Sequence, residues 1–260
     1  MTYVTRGLRN EVIRMSNTLI DVIQKTERGD ADAVFDVVKF LLWNGANEDL
    51  DQDFVYYAIA YYQKQAMAGN SDAMLELGTV YLEGRGVPVD RELARAWYQK
   101  GIDAGNIRAY RLMGHFYYYD RDKSGRPIKN ENEKRRQMGA EVFMKGAELG
   151  EPTSLYETGC MYLEGDPVEQ DYDKAFEYFN KGLEATKDNK KHPAVPFLNY
   201  MVGHCYHHGY GVEKNLTKAK EYLEIASHEG ERRTESGKIA DKERSEKAFK
   251  ELLEIMAESE

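Results

Sequence analysis

His204, His207 and His208 stand at i, i+3 and i+4 with Cys205 between them, and these are side chains that bind metals or carry protons. On a helix, His204 and His208 would share one face, where two imidazole nitrogens could hold a divalent ion. A third ligand would have to come from elsewhere, with His115 and Cys160 as candidates. No motif fixes a carboxylate beside the pair, and histidine pairs on helix surfaces are commonplace. The reading therefore assigns no metal, no cofactor and no catalytic residue, and keeps a metal-binding module built on His204 and His208 as an alternative. Other catalytic signatures are missing from the sequence. It contains no nucleophile elbow, no phosphate-cradling glycine loop and no His-Glu-x-x-His helix. Gly84-Arg85-Gly86 and Gly209-Tyr210-Gly211 look like the start of a dinucleotide fingerprint, but they follow helical patterns rather than strands and read as turns. No spacing sets two carboxylates apart as acid and base, so the expectation is a protein that is not an enzyme.

The elements that would carry these histidines repeat. The block Leu77-Gly78-Thr79-Val80-Tyr81-Leu82-Glu83-Gly84-Arg85-Gly86-Val87 has copies at Met113-Gly114-x-x-Tyr117, Thr158-Gly159-x-x-Tyr162-Leu163-Glu164-Gly165 and Val202-Gly203-x-x-Tyr206. The last copy closes with Gly209-Tyr210-Gly211-Val212. Gly78 to Gly114 is 36 residues, Gly114 to Gly159 is 45, and Gly159 to Gly203 is 44. A fixed period in this range marks a solenoid, whose units stack and share one core. The unit is 36 residues, with an extra 9 in the third unit, around Tyr119 to Asn132, and 8 near Lys187 to Pro196. The first insertion, rich in charge, is expected to be an exposed loop.

Each unit reads as two helices. In the second unit Ser71 and Asp72 are expected to cap the first helix, which runs to about Glu83 before Gly84 and Gly86 stop it. Asp90 then caps the second helix, whose Ala94, Trp97, Tyr98 and Ile102 make one apolar face. Asp171 with Ala175, Tyr178 and Phe179 repeats that layout, as does Asn215 with Ala219, Tyr222 and Leu223. Five units result, at 29–68, 69–104, 105–149, 150–186 and 187–230. Residues 1–28 and 231–260 are expected to form helices that cap the two ends.

Composition narrows the partners. The 36 Lys and Arg against 45 Asp and Glu leave a net charge of −9, which disfavours nucleic acid. Two cysteines cannot make a disulfide framework, no secretory leader is evident, and no apolar run would cross a bilayer, so a cytoplasmic protein without membrane insertion is expected. A monomer is expected, with dimerisation through a terminal helix as the alternative.

The pattern Ala-x-x-x-Leu-Gly-x-x-Tyr-x-x-Gly-x-Gly-Val, followed by Asp, Ala, Trp-Tyr and a closing Ala-x-x-Gly, resembles the Sel-one-like repeat (SLR), a 36-residue relative of the tetratricopeptide repeats. Ala73, Leu77, Gly78, Tyr81, Gly84, Gly86, Val87, Asp90, Ala94, Trp97, Tyr98, Lys100 and Gly105 carry it in the second unit. The third unit lacks the Gly-x-Gly-Val turn and the first is degenerate. The resemblance implies an all-α protein, a right-handed α/α superhelix of about five helix pairs, acting as a scaffold or adaptor. Some secreted bacterial members bind or turn over β-lactams and carry a cysteine pair in each repeat; this chain does not, so a small-molecule or β-lactam-type activity stands only as an alternative.

In a tetratricopeptide-like stack the first helices line the concave face. Projecting the second unit onto the others gives a groove for a protein or peptide partner made of Phe35, Lys39, Trp43, Leu75, Thr79, Arg111, His115, Tyr118, Tyr119, Tyr156, Tyr200, His204 and His207. Tyr and Arg are the types that concentrate binding energy at interfaces. Tyr81, Tyr117, Tyr162 and Tyr206 are assigned to packing between helices.

Overall fold

A computed structural model of the chain describes residues 52–121, 127–234 and 239–258, with Phe35, Val38, Lys39 and Leu42. It divides into two units, Met1–Asn106 and Ile107–Glu260. The N-terminal capping helix expected over 1–28, and Trp43, lie outside the described residues.

In the first unit, α1 (Gln52–Met67), α2 (Ser71–Glu83) and α3 (Arg91–Asp103) follow in order, and Phe35, Val38, Lys39 and Leu42 are helical. Val38, Leu42, Val55, Ala58, Tyr62, Leu77, Val80 and Trp97 make their shared core. The second unit begins with α4 (Arg108–Tyr118), α5 (Glu133–Glu148), α6 (Pro152–Glu164) and α7 (Tyr172–Ala185), and continues through α8 (Val195–His208), α9 (Leu216–Thr234) and α10 (Ile239–Glu258). Within each unit, the helices pack mainly against their neighbours in sequence, as antiparallel hairpins require.

Local chemistry sets the helix ends. Asp90, Asn132, Asp171 and Asn215 each accept a bond from the backbone N–H three residues on, at 2.9 to 3.0 Å. The expected cap of α2 is corrected: Asn70, not Ser71 or Asp72, accepts from the Ala73 N–H at 3.1 Å. Gly84 and Gly209 close α2 and α8 with φ of 68° and 75°, a left-handed turn that an L side chain resists. A further bond recurs in three hairpins. The N–H groups of Asp90, Asp171 and Asn215 donate to the carbonyls of Tyr81, Tyr162 and Tyr206, each at 2.9 Å, tying the second helix's cap to the first helix.

The repeated mid-helix glycines are places of close approach. A Cβ on Gly114 or Gly159 would lie 2.5 Å from the ring of Phe143 or Phe179; on Gly203 it would lie 2.8 Å from Leu223; on Gly78 it would overlap Tyr98. These four partners occupy equivalent places on α5, α7, α9 and α3. Tyr162 and Tyr206 work beside them, stacking on Tyr178 and Tyr222 at 5.7 and 5.9 Å between ring centres.

The expected loop at Tyr119–Asn132 holds secondary structure that its sequence did not announce. An antiparallel ribbon pairs β1 (Tyr119–Arg121) with β2 (Pro127–Lys129), Tyr119 opposite Lys129 and Arg121 opposite Pro127. Two features fasten its base: Lys129 bonds Glu164 and Asp166 on the next hairpin, and buried Asn130 donates its N–H to the Tyr118 carbonyl. At the C-terminal end, Ala248 and Ile255 of α10 are buried against Ala219, Leu223 and Ala226 of α9. Helix α10 so stands in the place of a next unit's first helix, while its Phe249 and Leu253 are exposed.

Gly159→Ala should lower stability by about 1–3 kcal/mol through overpacking against Phe179, read by denaturant unfolding. An unchanged midpoint would show that the two helices have room to separate.

Candidate functional site

Within each of the two units, the residues that follow the first-helix glycines, and those two before them, face one another between successive first helices. In register, Thr79, His115, Cys160 and His204 are the former, with Lys39 at the same place in the degenerate first repeat; Glu76, Leu112, Glu157 and Met201 are the latter. The Lys39 ammonium donates to Glu76 at 2.5 Å. His115 Nε2 lies 3.9 Å from Glu157, whose other oxygen accepts from the Tyr119 hydroxyl at 2.7 Å. His204 Nδ1 lies 2.9 Å from Glu251 of α10. Glu76, Glu157 and Glu251 are buried, so each carboxylate depends on its partner from the preceding helix. Between the last two of these, Cys160 and Met201 carry no charge.

The last of these junctions is the richest. Glu251 Oε1 lies 2.9 Å from His204 Nδ1, 2.9 Å from His207 Nδ1 and 3.5 Å from His208 Nε2, and Oε2 is 3.1 Å from His204. His207 is buried, whereas His204 and His208 are open on one side. Tyr200 stacks on His204, and Tyr210 lies against His208 at 5.3 Å while stacking on Tyr172 at 4.4 Å. Burial pushes the Glu251 carboxyl up, but hydrogen bonds and charge from His204 and His207 outweigh it and hold it below its ordinary value. Burial, then the neighbouring His204 and His207, keep His208 below the usual imidazole value. The Cys205 thiol is pushed up to about 12 by burial, with Glu251 adding to it, so at neutral pH it is protonated and a poor nucleophile.

The expected third group beside His204 and His208 was His115 or Cys160; the structure places Glu251 there. Its motif-free setting among the many Glu and Lys of α10 hides it. The signal available was the repeated spacing itself, since Lys39/Glu76 and His115/Glu157 point to a carboxylate one unit beyond His204.

Among the other expected groove residues, Leu75, Tyr118 and His207 are corrected: they are 2–3% exposed and pack inside their hairpins. Tyr118 is drawn in because Gly139 of α5 offers bare backbone, where a Cβ would come within 2.7 Å of it, and its hydroxyl donates to the Asp166 carbonyl at 3.0 Å. Burial chiefly, against the opposing Lys129, pushes that hydroxyl up to about 12. Burial and then Glu157 also raise Tyr119. Phe35 is half-buried, edge-on to Tyr62 at 5.3 Å, and the Thr79 hydroxyl lies 3.1 Å from the Tyr98 hydroxyl. Arg111, Tyr156 and Tyr200 share one register, three residues before their glycines, on α4, α6 and α8, and all three are half-buried. Arg111 Nε is 3.9 Å from Glu151, and Tyr156 packs against Phe197 at 5.7 Å.

The lowered values of His208 and Glu251 have one sign for stability. The unfolded chain takes up protons near 6.5 and 4.5, before the folded chain does, so acid favours unfolding. The junction's contribution is whole above about pH 6.5 and declines as pH falls through each folded value. Denaturant unfolding should therefore show lower stability at about pH 4 than at about pH 7, with Glu251→Gln removing the lower part of the decline. An identical profile for that variant would contradict this electrostatic account.

Known proteins share this architecture. The model of the Sel1 repeat matches residues 40–70, 71–106, 152–186 and 197–231, just over half of the chain. Among solved structures, the chain resembles a protective antigen of uropathogenic Escherichia coli strains displaying an SLR fold, with 22% identity and a TM-score of 0.55 over 91% of this chain and 48% of that one. An immunity protein of Pseudomonas aeruginosa gives 22% identity and a TM-score of 0.51 over 77% of this chain and 65% of that one. A Sel1 repeat protein of Oxalobacter formigenes gives 22% and 0.50 over 69% of each. The chain thus spans about half the length of the Escherichia coli antigen. Sel1 repeat proteins generally mediate protein–protein interactions and are generally non-enzymatic scaffolds. Among the described residues no helix is long and apolar enough to cross a membrane. With its repeated glycines, caps and paired helices accounted for, the chain belongs to the Sel1 repeat family.

Proposed function

We propose that this protein is a non-enzymatic scaffold that holds a peptide or protein segment along the first helices of its Ile107–Glu260 unit. The observation that carries the reading is the row Arg111, Tyr156 and Tyr200. One residue on each of α4, α6 and α8 stands at the same register and is partly exposed. Arg and Tyr are types enriched where binding energy concentrates, since they bury much area at low entropic cost. Immunity proteins and an antigen among the matched folds agree with a role in recognition. His115, Tyr119 and His204 serve this surface indirectly, through Glu157 and Glu251 of the neighbouring helices, while Phe35, Lys39 and Thr79 belong to the equivalent face of the other unit. The acidic balance of the chain points away from nucleic acid. Cys160 and Cys205, neither of them in a disulfide, suit a reducing compartment such as the cytoplasm.

Tyr156→Ala with Tyr200→Ala should weaken binding of a partner captured from the source cells by at least about tenfold, as expected when two interface anchors are lost. Circular dichroism should stay unchanged. Undiminished binding to the folded double variant would remove this row from the interface.

A further inference from the structure

We propose that His204, His208 and Glu251 form a binding site for a divalent transition-metal ion of the zinc class, bridging the last repeat and the terminal helix. One ring nitrogen each of His204 and His208 and a Glu251 oxygen lie within 4.8 Å of one another. The separations from the carboxylate are 2.9 to 3.1 Å for His204 and 3.5 Å for His208. Tetrahedral zinc with bonds of about 2.0–2.1 Å sets its ligand atoms roughly 3.3 Å apart, close to both separations from the carboxylate. Two imidazoles and one carboxylate are a donor set that suits zinc, with nickel and copper as chemically similar competitors.

Three further observations fit an ion better than a simple hydrogen-bonded cluster. First, Glu251 Oε1 faces a nitrogen from each of three imidazoles; with the lone pairs of His204 and His208 turned toward the carboxylate, a cation between them would be held by all three groups. Second, His207 Nδ1, 2.9 Å from the carboxylate, is placed to donate to it, which is how ligating carboxylates are commonly steadied. Third, His204 and His208 have about a quarter and two-fifths of their side chains exposed while Glu251 is buried. An ion could enter from that side and keep water at a fourth position. Cys205, buried and protonated, stands outside the set.

An ion here would join α8 to α10 across 47 residues of chain, so its binding energy would also hold the terminal helix in place. The site is independent of the Arg111–Tyr156–Tyr200 row, so failure of either proposal leaves the other standing.

The test is titration of the untagged full chain with Zn2+ by calorimetry, and with Co2+ by visible absorption. One ion per chain is expected, with a higher melting temperature and the weak-field bands of nitrogen and oxygen ligands. Glu251→Gln and His208→Ala should each weaken binding at least about tenfold, as loss of a ligand requires, while His115→Ala binds as the unaltered chain does. Three results would overturn the proposal. They are no binding of either ion at micromolar concentration, equal binding by folded Glu251→Gln and His208→Ala variants, or the near-ultraviolet charge-transfer band of a cobalt-bound thiolate. Should a variant lose its helical signal, the cobalt spectrum of the unaltered chain decides.

Discussion

In each of four hairpins a large side chain of the second helix rests on the bare backbone of a glycine in the first: Tyr98 on Gly78, Phe143 on Gly114, Phe179 on Gly159 and Leu223 on Gly203. No side chain larger than hydrogen fits between them. That single contact sets how near the two helices come. Nearness in turn lets the cap of the second helix reach the tyrosine carbonyl of the first, and it aligns the first helices closely enough for residues of one to bond residues of the next. The ladder of buried carboxylates is a product of this spacing. Buried Glu76 is tolerable because Lys39 donates to it, and buried Glu157 because the Tyr119 hydroxyl does.

Much of this architecture was legible in the sequence because it recurs. A glycine every 36, 45 and 44 residues, with Asp or Asn opening the second helix, reports a local geometry several times over. Single events were harder to read. Three residues able to cap α2 stand in a row, Asn70, Ser71 and Asp72, and type alone does not choose among them. The ribbon at Tyr119–Lys129 has strands of three residues, too short for an alternating pattern to show. Tyr118 was assigned to the surface by its register, yet it turns inward where α5 offers Gly139 in place of the alanine found in the other second helices.

The candidate sites show the same division. Arg111, Tyr156 and Tyr200 could be found from register alone. Glu251 could not, since it lies beyond the last repeat and its identity as a buried anion depends on α10 folding back against α8. The sequence brings out His204 and His208 as a pair on one face. Only the fold supplies the carboxylate between them and places His207 behind it.

Within the Ile107–Glu260 unit, the rungs His115–Glu157 and His204–Glu251 stand either side of the uncharged Cys160 and Met201. That order means the modules are not interchangeable. Excising the hairpin that begins near Val195 would set Cys160 against Glu251 and strand an anion in the interior. Removing it together with the hairpin before it would set His115 against Glu251 and leave donor and acceptor matched. Gain or loss of length in such an array should therefore proceed by twos.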